Sequence, residues 1–139
     1  EVLREIKGVK GIHCCGNTDW TLLTDLALDI ISFDAYNYSH SLALYPKEIG
    51  RFIARGGAVA WGIVPNTDKL VESETAASLQ DRLEEAISPF TRHGVDFRQM
   101  LRHGLITPSC GMAYMSEGGA EKALELAAEL TKRMRSRYL

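Results

Sequence analysis

Short runs rich in β-branched and aromatic residues alternate along this chain with segments whose apolar residues recur at helical spacing. The short runs predict four strands, at residues 9–15, 30–35, 58–63 and 105–109. Strands that alternate with helices are typical of βα units around a parallel sheet. The hydrophobic pattern therefore predicts an α/β fold built from four βα units with parallel strands.

Helical patterns occupy most of the sequence between and after these strands. We expect helices over residues 18–28, 46–54, 96–102 and 117–137, and a long helix that begins after Ser73 and is broken at Ser88-Pro89. Residues 36–40 and the polar segment between Pro65 and Ser73 are expected to form loops.

Four βα units make either a small open α/β domain or the C-terminal half of a TIM (β/α)8 barrel, whose usual length is about 250 residues. A half-barrel leaves two strand edges and an apolar interior uncovered. We therefore expect either a homo-oligomer or a separate N-terminal half of the barrel as a partner. We also expect the first and last strands of an isolated half to lie at opposite edges, so that only barrel closure would bring their residues together.

The composition narrows the range of functions. The chain has 139 residues, 24% of them charged, and a net charge of −2 with scattered basic residues. This composition argues against nucleic-acid binding, and no apolar run approaches the roughly 20 residues of a membrane span. Three cysteines, two of them adjacent, are unsuited to internal pairing, and no signal sequence is visible. We therefore expect reduced thiols, a cytoplasmic location and a small-molecule substrate.

Candidate metal ligands fall at the C-terminal ends of the predicted strands, where parallel α/β proteins place their active sites. Side chains alternate along a strand, so His13 and Cys15 point to one face and Cys14 to the other. Cys110 ends the last strand and Asp34 ends the second. An isolated His-x-Cys is more often structural than ligating, but imidazole, thiolates and a carboxylate at three converging strand ends favour a zinc site.

Other side chains near the same strand ends are candidates for substrate binding. Asn66 and Ser109 can orient polar groups of a substrate, and Tyr36 and Trp61 can line its pocket. The competing interpretation of each residue is a loop cap, a turn or ordinary packing.

Three segments together resemble a known family. Residues 13–17 (HCCGN), 29–34 (DIISFD) and 107–111 (TPSCG) are similar to the catalytic domain of cobalamin-independent methionine synthase. Its superfamily includes methylcobamide:coenzyme M methyltransferases and uroporphyrinogen decarboxylase. The resemblance covers nearly the whole chain and implies the C-terminal half of a catalytic barrel. It also implies that His13, Cys15 and Cys110 hold zinc, while Asp34 stands where the family has a longer glutamate.

The resemblance further implies a zinc-dependent methyltransferase that moves a methyl group from a methyl-folate or methyl-corrinoid donor to a thiol acceptor. Residues 61–66 (WGIVPN) depart from the pattern expected for homocysteine binding, which leaves the acceptor open. Two rival interpretations stand beside this one. The first is a metal-free lyase similar to uroporphyrinogen decarboxylase, in which Asp34 would bind the substrate, and the second is a non-catalytic fragment of a barrel.

Overall fold

The computed structural model describes residues 2–139 as an α/β fold in which strands and helices alternate. The strands are β1 (Gly11–Cys14), β2 (Ile30–Phe33), β3 (Ala58–Val64) and β4 (Gly104–Pro108). The helices are α1 (Val2–Glu5), α2 (Trp20–Thr24), α3 (Ala35–Leu42), α4 (Pro46–Ala54), α5 (Asp68–Ser73), α6 (Ala76–Thr91), α7 (Phe97–Arg102) and α8 (Glu117–Tyr138). Within residues 2–139 no helix has the combination of length and hydropathy that a bilayer span needs.

The four strands form one parallel sheet in the order β1-β2-β3-β4. The prediction of four parallel strands with helices between them is therefore confirmed, with strand bounds that differ by one or two residues. An all-parallel sheet in sequential order is compatible with half of a (β/α)8 barrel.

The sheet has one face rich in bulky side chains and one whose centre carries small or polar side chains, with Ile30 and Leu105 as its large apolar residues. On the bulky face, which the helices cover, four aromatic rings contact each other edge to face, with neighbouring centroids 5.5–6.0 Å apart: Trp20, Phe33, Trp61 and Phe90. On the other face His13 lies opposite Ser32, and Ser32 lies opposite Ala60. Most of the burial that stabilises the chain is thus on the helix-covered face.

Two segments expected to be loops are helices. Residues 36–40 lie within α3, because the Asp34 side chain accepts a hydrogen bond from the Asn37 backbone N–H and caps the first turn. The polar segment after Pro65 contains α5, so Ser73 ends a helix and caps none. The long helix is capped instead by Thr75, whose side chain and backbone exchange hydrogen bonds with Ser78 in a capping box.

Two helix boundaries also differ from expectation. The helix predicted over residues 18–28 is the shorter α2, and Asp19 caps it by accepting a hydrogen bond from Thr21. The break predicted at Ser88-Pro89 was wrong, because α6 continues to Thr91. Proline cannot donate to the Glu85 carbonyl, but the Ser88 hydroxyl donates to that oxygen at 3.1 Å and replaces the lost bond.

Gly62 in β3 lets the neighbouring strands approach each other across it. A Cβ at this position would collide with the Phe33 carbonyl oxygen on the β2 side and would lie 2.9 Å from Ser109 Cα on the β4 side. The pairing of β3 with β4 also shifts register between Gly62 and Val64. Because Gly62 has no side chain, the C-terminal ends of β2 and β4 can bend toward the sparsely filled face of the sheet.

We expect Gly62→Ala to lower the free energy of unfolding by about 1–3 kcal/mol, because the added methyl group must push backbone atoms apart. Urea denaturation of the two proteins measures the difference. Gly8→Ala is the control, since a Cβ at Gly8 meets no atom within 4 Å. Equal stability of the Gly62→Ala protein and the parent would show that the strands do not need this approach.

Candidate metal centre

His13, Cys15 and Cys110 meet at the C-terminal end of the sheet. The Cys15 sulfur lies 3.0 Å from His13 Nε2 and 2.9 Å from the Cys110 sulfur, and the three ligand atoms all lie within 4.8 Å of one another. Cys15 directly follows β1, and Cys110 lies two residues beyond the end of β4. The expectation that only barrel closure would bring the two edges together was therefore wrong, because this chain alone assembles the cluster.

The distance between the two sulfurs requires a strongly curved sheet. Three strand spacings of about 4.8 Å would separate β1 from β4 by roughly 14 Å if the sheet were flat. Two cysteine side chains whose sulfurs are in contact span a Cα separation well below that distance. Curvature and the residues beyond the strand ends must supply the rest, which agrees with the close approach at Gly62.

The His13 ring is held from its far side by a hydroxyl on the neighbouring strand. Nδ1 lies 2.9 Å from Ser32 Oγ, while Nε2 faces the Cys15 sulfur. In metal sites the second ring nitrogen of a ligating histidine commonly has such a partner, which fixes both the tautomer and the ring orientation. Ser32 thus orients Nε2 toward the two thiols.

Cys14 points away from the cluster, as the alternation of side chains along β1 predicts. It is half-buried against the hydrophobic core, and its thiol donates to the Gly16 carbonyl at 3.4 Å. All three cysteines are free thiols. Cys14 therefore belongs to the packing of the helix-covered face and leaves two sulfurs for the cluster.

Asn66 and Ser109, predicted to bind substrate, form hydrogen bonds within the segment that carries Cys110. The Asn66 amide nitrogen donates to the Gly111 carbonyl at 3.0 Å, and its oxygen accepts a hydrogen bond from the Ser109 hydroxyl at 3.1 Å. These bonds fix the residues on either side of Cys110. The two side chains are therefore engaged in positioning a thiol.

A second anchor, which the sequence reasoning missed, holds the far end of the same segment. Ser116 caps α8, and the Asp68 carboxylate accepts hydrogen bonds from both its backbone N–H, at 3.1 Å, and its hydroxyl, at 2.7 Å. These bonds, the one with the hydroxyl foremost, lower the pKa of Asp68 below its ordinary value of 3.8. The helix-capping position of Ser116 was a visible signal, but its partner 48 residues away was not.

Three other predicted site residues are not part of the cluster. Asp34 is buried, and its two oxygens accept hydrogen bonds from the backbone and side-chain nitrogens of Asn37 at 2.9 and 2.7 Å. Trp61 is buried on the helix-covered face, opposite the face that carries His13. The Tyr36 hydroxyl donates to Glu74 at 2.7 Å. The structure thus brings together the ligand atoms of the histidine and two cysteines, and the carboxylate and the aromatic residues are not among them.

The electrostatics of the cluster favour a protonated Cys15 thiol when no cation is near. Its hydrogen bond with Cys110, followed by desolvation and the negative charges of Cys110, Cys14 and Asp34, raises the pKa of Cys15 to about 11. Two thiolates this close repel each other. A bound cation removes that repulsion, and metal binding at such a site is coupled to proton release.

The donor set of one imidazole nitrogen and two sulfurs suits zinc. Zinc binds nitrogen at about 2.0–2.1 Å and sulfur at about 2.3 Å, which places tetrahedral ligand atoms roughly 3.5–3.8 Å apart. The present separations, from 2.9 Å to at most 4.8 Å, are within a small side-chain movement of that spacing. His13 and Cys15 are exposed, so a further coordination position would be open to a substrate.

Comparison of the chain with protein-family models and with curated protein sequences found no match.

We expect Asn66→Ala to weaken zinc binding by about 10–100-fold, because the residues beside Cys110 lose their hydrogen-bond partners. Competition with a chromophoric chelator measures the affinity. Gln80→Ala is the matched control, since the Gln80 amide also makes two side-chain hydrogen bonds, with Glu84 and Arg133 in the helical layer. Equal zinc affinities of the Asn66 and Gln80 variants would contradict the positioning role.

We expect Asp68→Asn to lower the free energy of unfolding at pH 7, because the amide replaces one acceptor oxygen with a donor. The folded state holds the pKa of Asp68 below 3.8, so its contribution is present above about pH 4 and disappears as the pH falls through the lower folded value. Urea denaturation at pH 7 and pH 3 should therefore show a stability difference from the parent that shrinks in acid. Asp81→Asn, at an exposed position on α6, is the control, and a difference independent of pH would contradict the assignment.

Proposed function

We propose that this chain is the zinc-binding, C-terminal half of a (β/α)8-barrel methyltransferase similar to cobalamin-independent methionine synthase. Its reaction would transfer a methyl group from a methyl-folate or methyl-corrinoid donor to a thiol acceptor. One observation carries the proposal: a histidine and two cysteines from the two edges of a parallel sheet meet at its C-terminal end. That end is where parallel α/β enzymes hold their reacting groups.

The residues of the cluster fit zinc by their chemistry. His13, Cys15 and Cys110 would hold the ion, which matches the ligand set implied by the resemblance. Zinc bound there would supply a Lewis acid that keeps an acceptor thiol in its thiolate form near neutral pH. Asp34 is a weaker candidate for a fourth ligand, because both of its oxygens already accept hydrogen bonds from Asn37.

The surrounding residues would provide position, which is the main contribution of a protein to a transfer between two bound substrates. Ser32 orients the His13 ring, and Asn66 fixes the residues beside Cys110. His13 and Cys15 are exposed on the sparsely filled face of the sheet, so a thiol and a methyl donor can approach from that side.

The test uses the full-length protein that contains this chain, purified with its metal. Zinc content is measured by mass spectrometry, and methyl transfer is followed with labelled methyl-tetrahydrofolate or methylcobalamin and homocysteine or another small thiol. We expect about one zinc per chain in the parent and in Cys14→Ser. Cys15→Ser and Cys110→Ser should lose both stoichiometric zinc and transfer, because each removes one of the two sulfurs.

Circular dichroism of each variant establishes that it is folded, and Cys14→Ser controls for the loss of a thiol as such. Full zinc content and activity in Cys110→Ser would overturn the ligand assignment. Stoichiometric zinc with no transfer from either donor to any thiol would leave the metal centre in place and overturn the methyltransferase proposal. A folded parent protein that binds no zinc would support the metal-free lyase instead.

A further inference from the structure

Cys15 and Cys110 are close enough to react with each other as well as to bind a metal. Their sulfurs lie 2.9 Å apart, and both cysteines are free thiols. A disulfide joins its sulfurs at about 2.05 Å, so the two thiols need to approach each other by less than about 1 Å. Cys15 directly follows β1 and Cys110 lies beyond the end of β4, so neither residue belongs to the paired part of the sheet. A small movement at either position therefore leaves the strand pairing intact.

The two thiols differ in their access to solvent. Cys15 is exposed, whereas Cys110 is half-buried. A small oxidant therefore meets Cys15 first, and Cys110 lies beside it as the thiol that can react with the oxidised sulfur. Cys14 is outside this pair, because it is half-buried against the hydrophobic core and its thiol donates to the Gly16 carbonyl. An accessible thiol next to a second, resolving thiol is typical of cysteines that respond to oxidants.

We propose that Cys15 and Cys110 form a reversible redox switch, in which oxidation by a peroxide joins them in a disulfide that cannot hold zinc. The consequence for activity rests on the proposed function, because the switch acts on the zinc site of that enzyme. Zinc binds the thiolate form of cysteine, so the disulfide leaves only the imidazole of His13 from the ligand set. Oxidation therefore releases the metal and stops methyl transfer.

The reaction balances with hydrogen peroxide as the oxidant. The Cys15 sulfur attacks one peroxide oxygen, the O–O bond breaks, and the products are a Cys15 sulfenic acid and one water. The Cys110 sulfur then attacks the Cys15 sulfur, the S–S bond forms and the S–O bond breaks, and the hydroxide leaves with the Cys110 proton as a second water. The two thiols thus give two electrons and two protons to one peroxide. A small dithiol reverses the change by thiol–disulfide exchange.

Peptide mapping without reduction tests the pairing in the full-length protein that contains this chain. Zinc is removed with a chelator, one equivalent of hydrogen peroxide is added, and the remaining thiols are alkylated before digestion. Trypsin releases Cys15 within residues 11–47 and Cys110 within residues 103–122. The disulfide therefore appears as a crosslink between these two peptides, which dithiothreitol removes. We expect the crosslink in the parent and in Cys14→Ser, and none in Cys15→Ser, with circular dichroism to establish that each variant is folded.

Zinc release tests the consequence of the disulfide. In the zinc-loaded protein, peroxide should release about one zinc per crosslink formed, measured with a chromophoric chelator, and dithiothreitol with added zinc should restore the bound metal. Unchanged thiols after peroxide treatment, a crosslink that is lost in Cys14→Ser, or a disulfide form that keeps its zinc would each overturn the proposal. A parent protein that binds no zinc would contradict the proposed function instead, and the crosslink in the chelator-treated protein would still decide whether Cys15 and Cys110 pair.

Discussion

The curvature of a four-stranded sheet is the constraint on which the candidate metal centre depends. In a flat sheet the strands that lead to the two cysteines would lie roughly 14 Å apart, yet the cysteine sulfurs lie 2.9 Å from each other. The distribution of side-chain volume explains how the sheet bends. Phe33 and Trp61 fill the helix-covered face, whereas Ser32, Ala60 and Gly62 at the centre of the opposite face are small. Bulky side chains on one face and small side chains at the centre of the other favour bending of the sheet toward the face with the small side chains.

Hydrogen bonds between elements distant in sequence fix the positions of the residues that form the cluster. Ser32 holds His13 across the β1–β2 pair, and Asn66 and Asp68 hold the two ends of the segment that begins with Ser109 and Cys110. That segment has no regular structure before α8 begins at Glu117. Without these anchors, a cysteine on a free loop would have to be ordered by the metal itself, at the expense of binding affinity.

The sequence allowed the strands and the direction of side chains along β1 to be predicted, because period-two alternation and the facing of His13 and Cys15 are local properties. The roles of Asn66 and Ser109 could not be predicted, since each depends on a partner about 43 residues away. The helices over residues 36–40 and 68–73 were missed because polar residues near their starts resemble loop composition. Their position depends on caps and packing that composition does not reveal.

The hydrophobic core and the cluster lie on opposite faces of the sheet. Substitutions at the cluster therefore report on metal binding and not on the stability of the core. His13 and Cys15 are exposed and Cys110 is half-buried. The four aromatic rings that contact each other edge to face, from Trp20 to Phe90, lie on the other face. Replacing either sulfur with oxygen therefore removes little buried apolar area and leaves the core untouched. Cys14, which does pack against that core, is the cysteine whose replacement tests stability alone. Because the two effects lie on opposite faces of one sheet, ligation and folding can be measured independently.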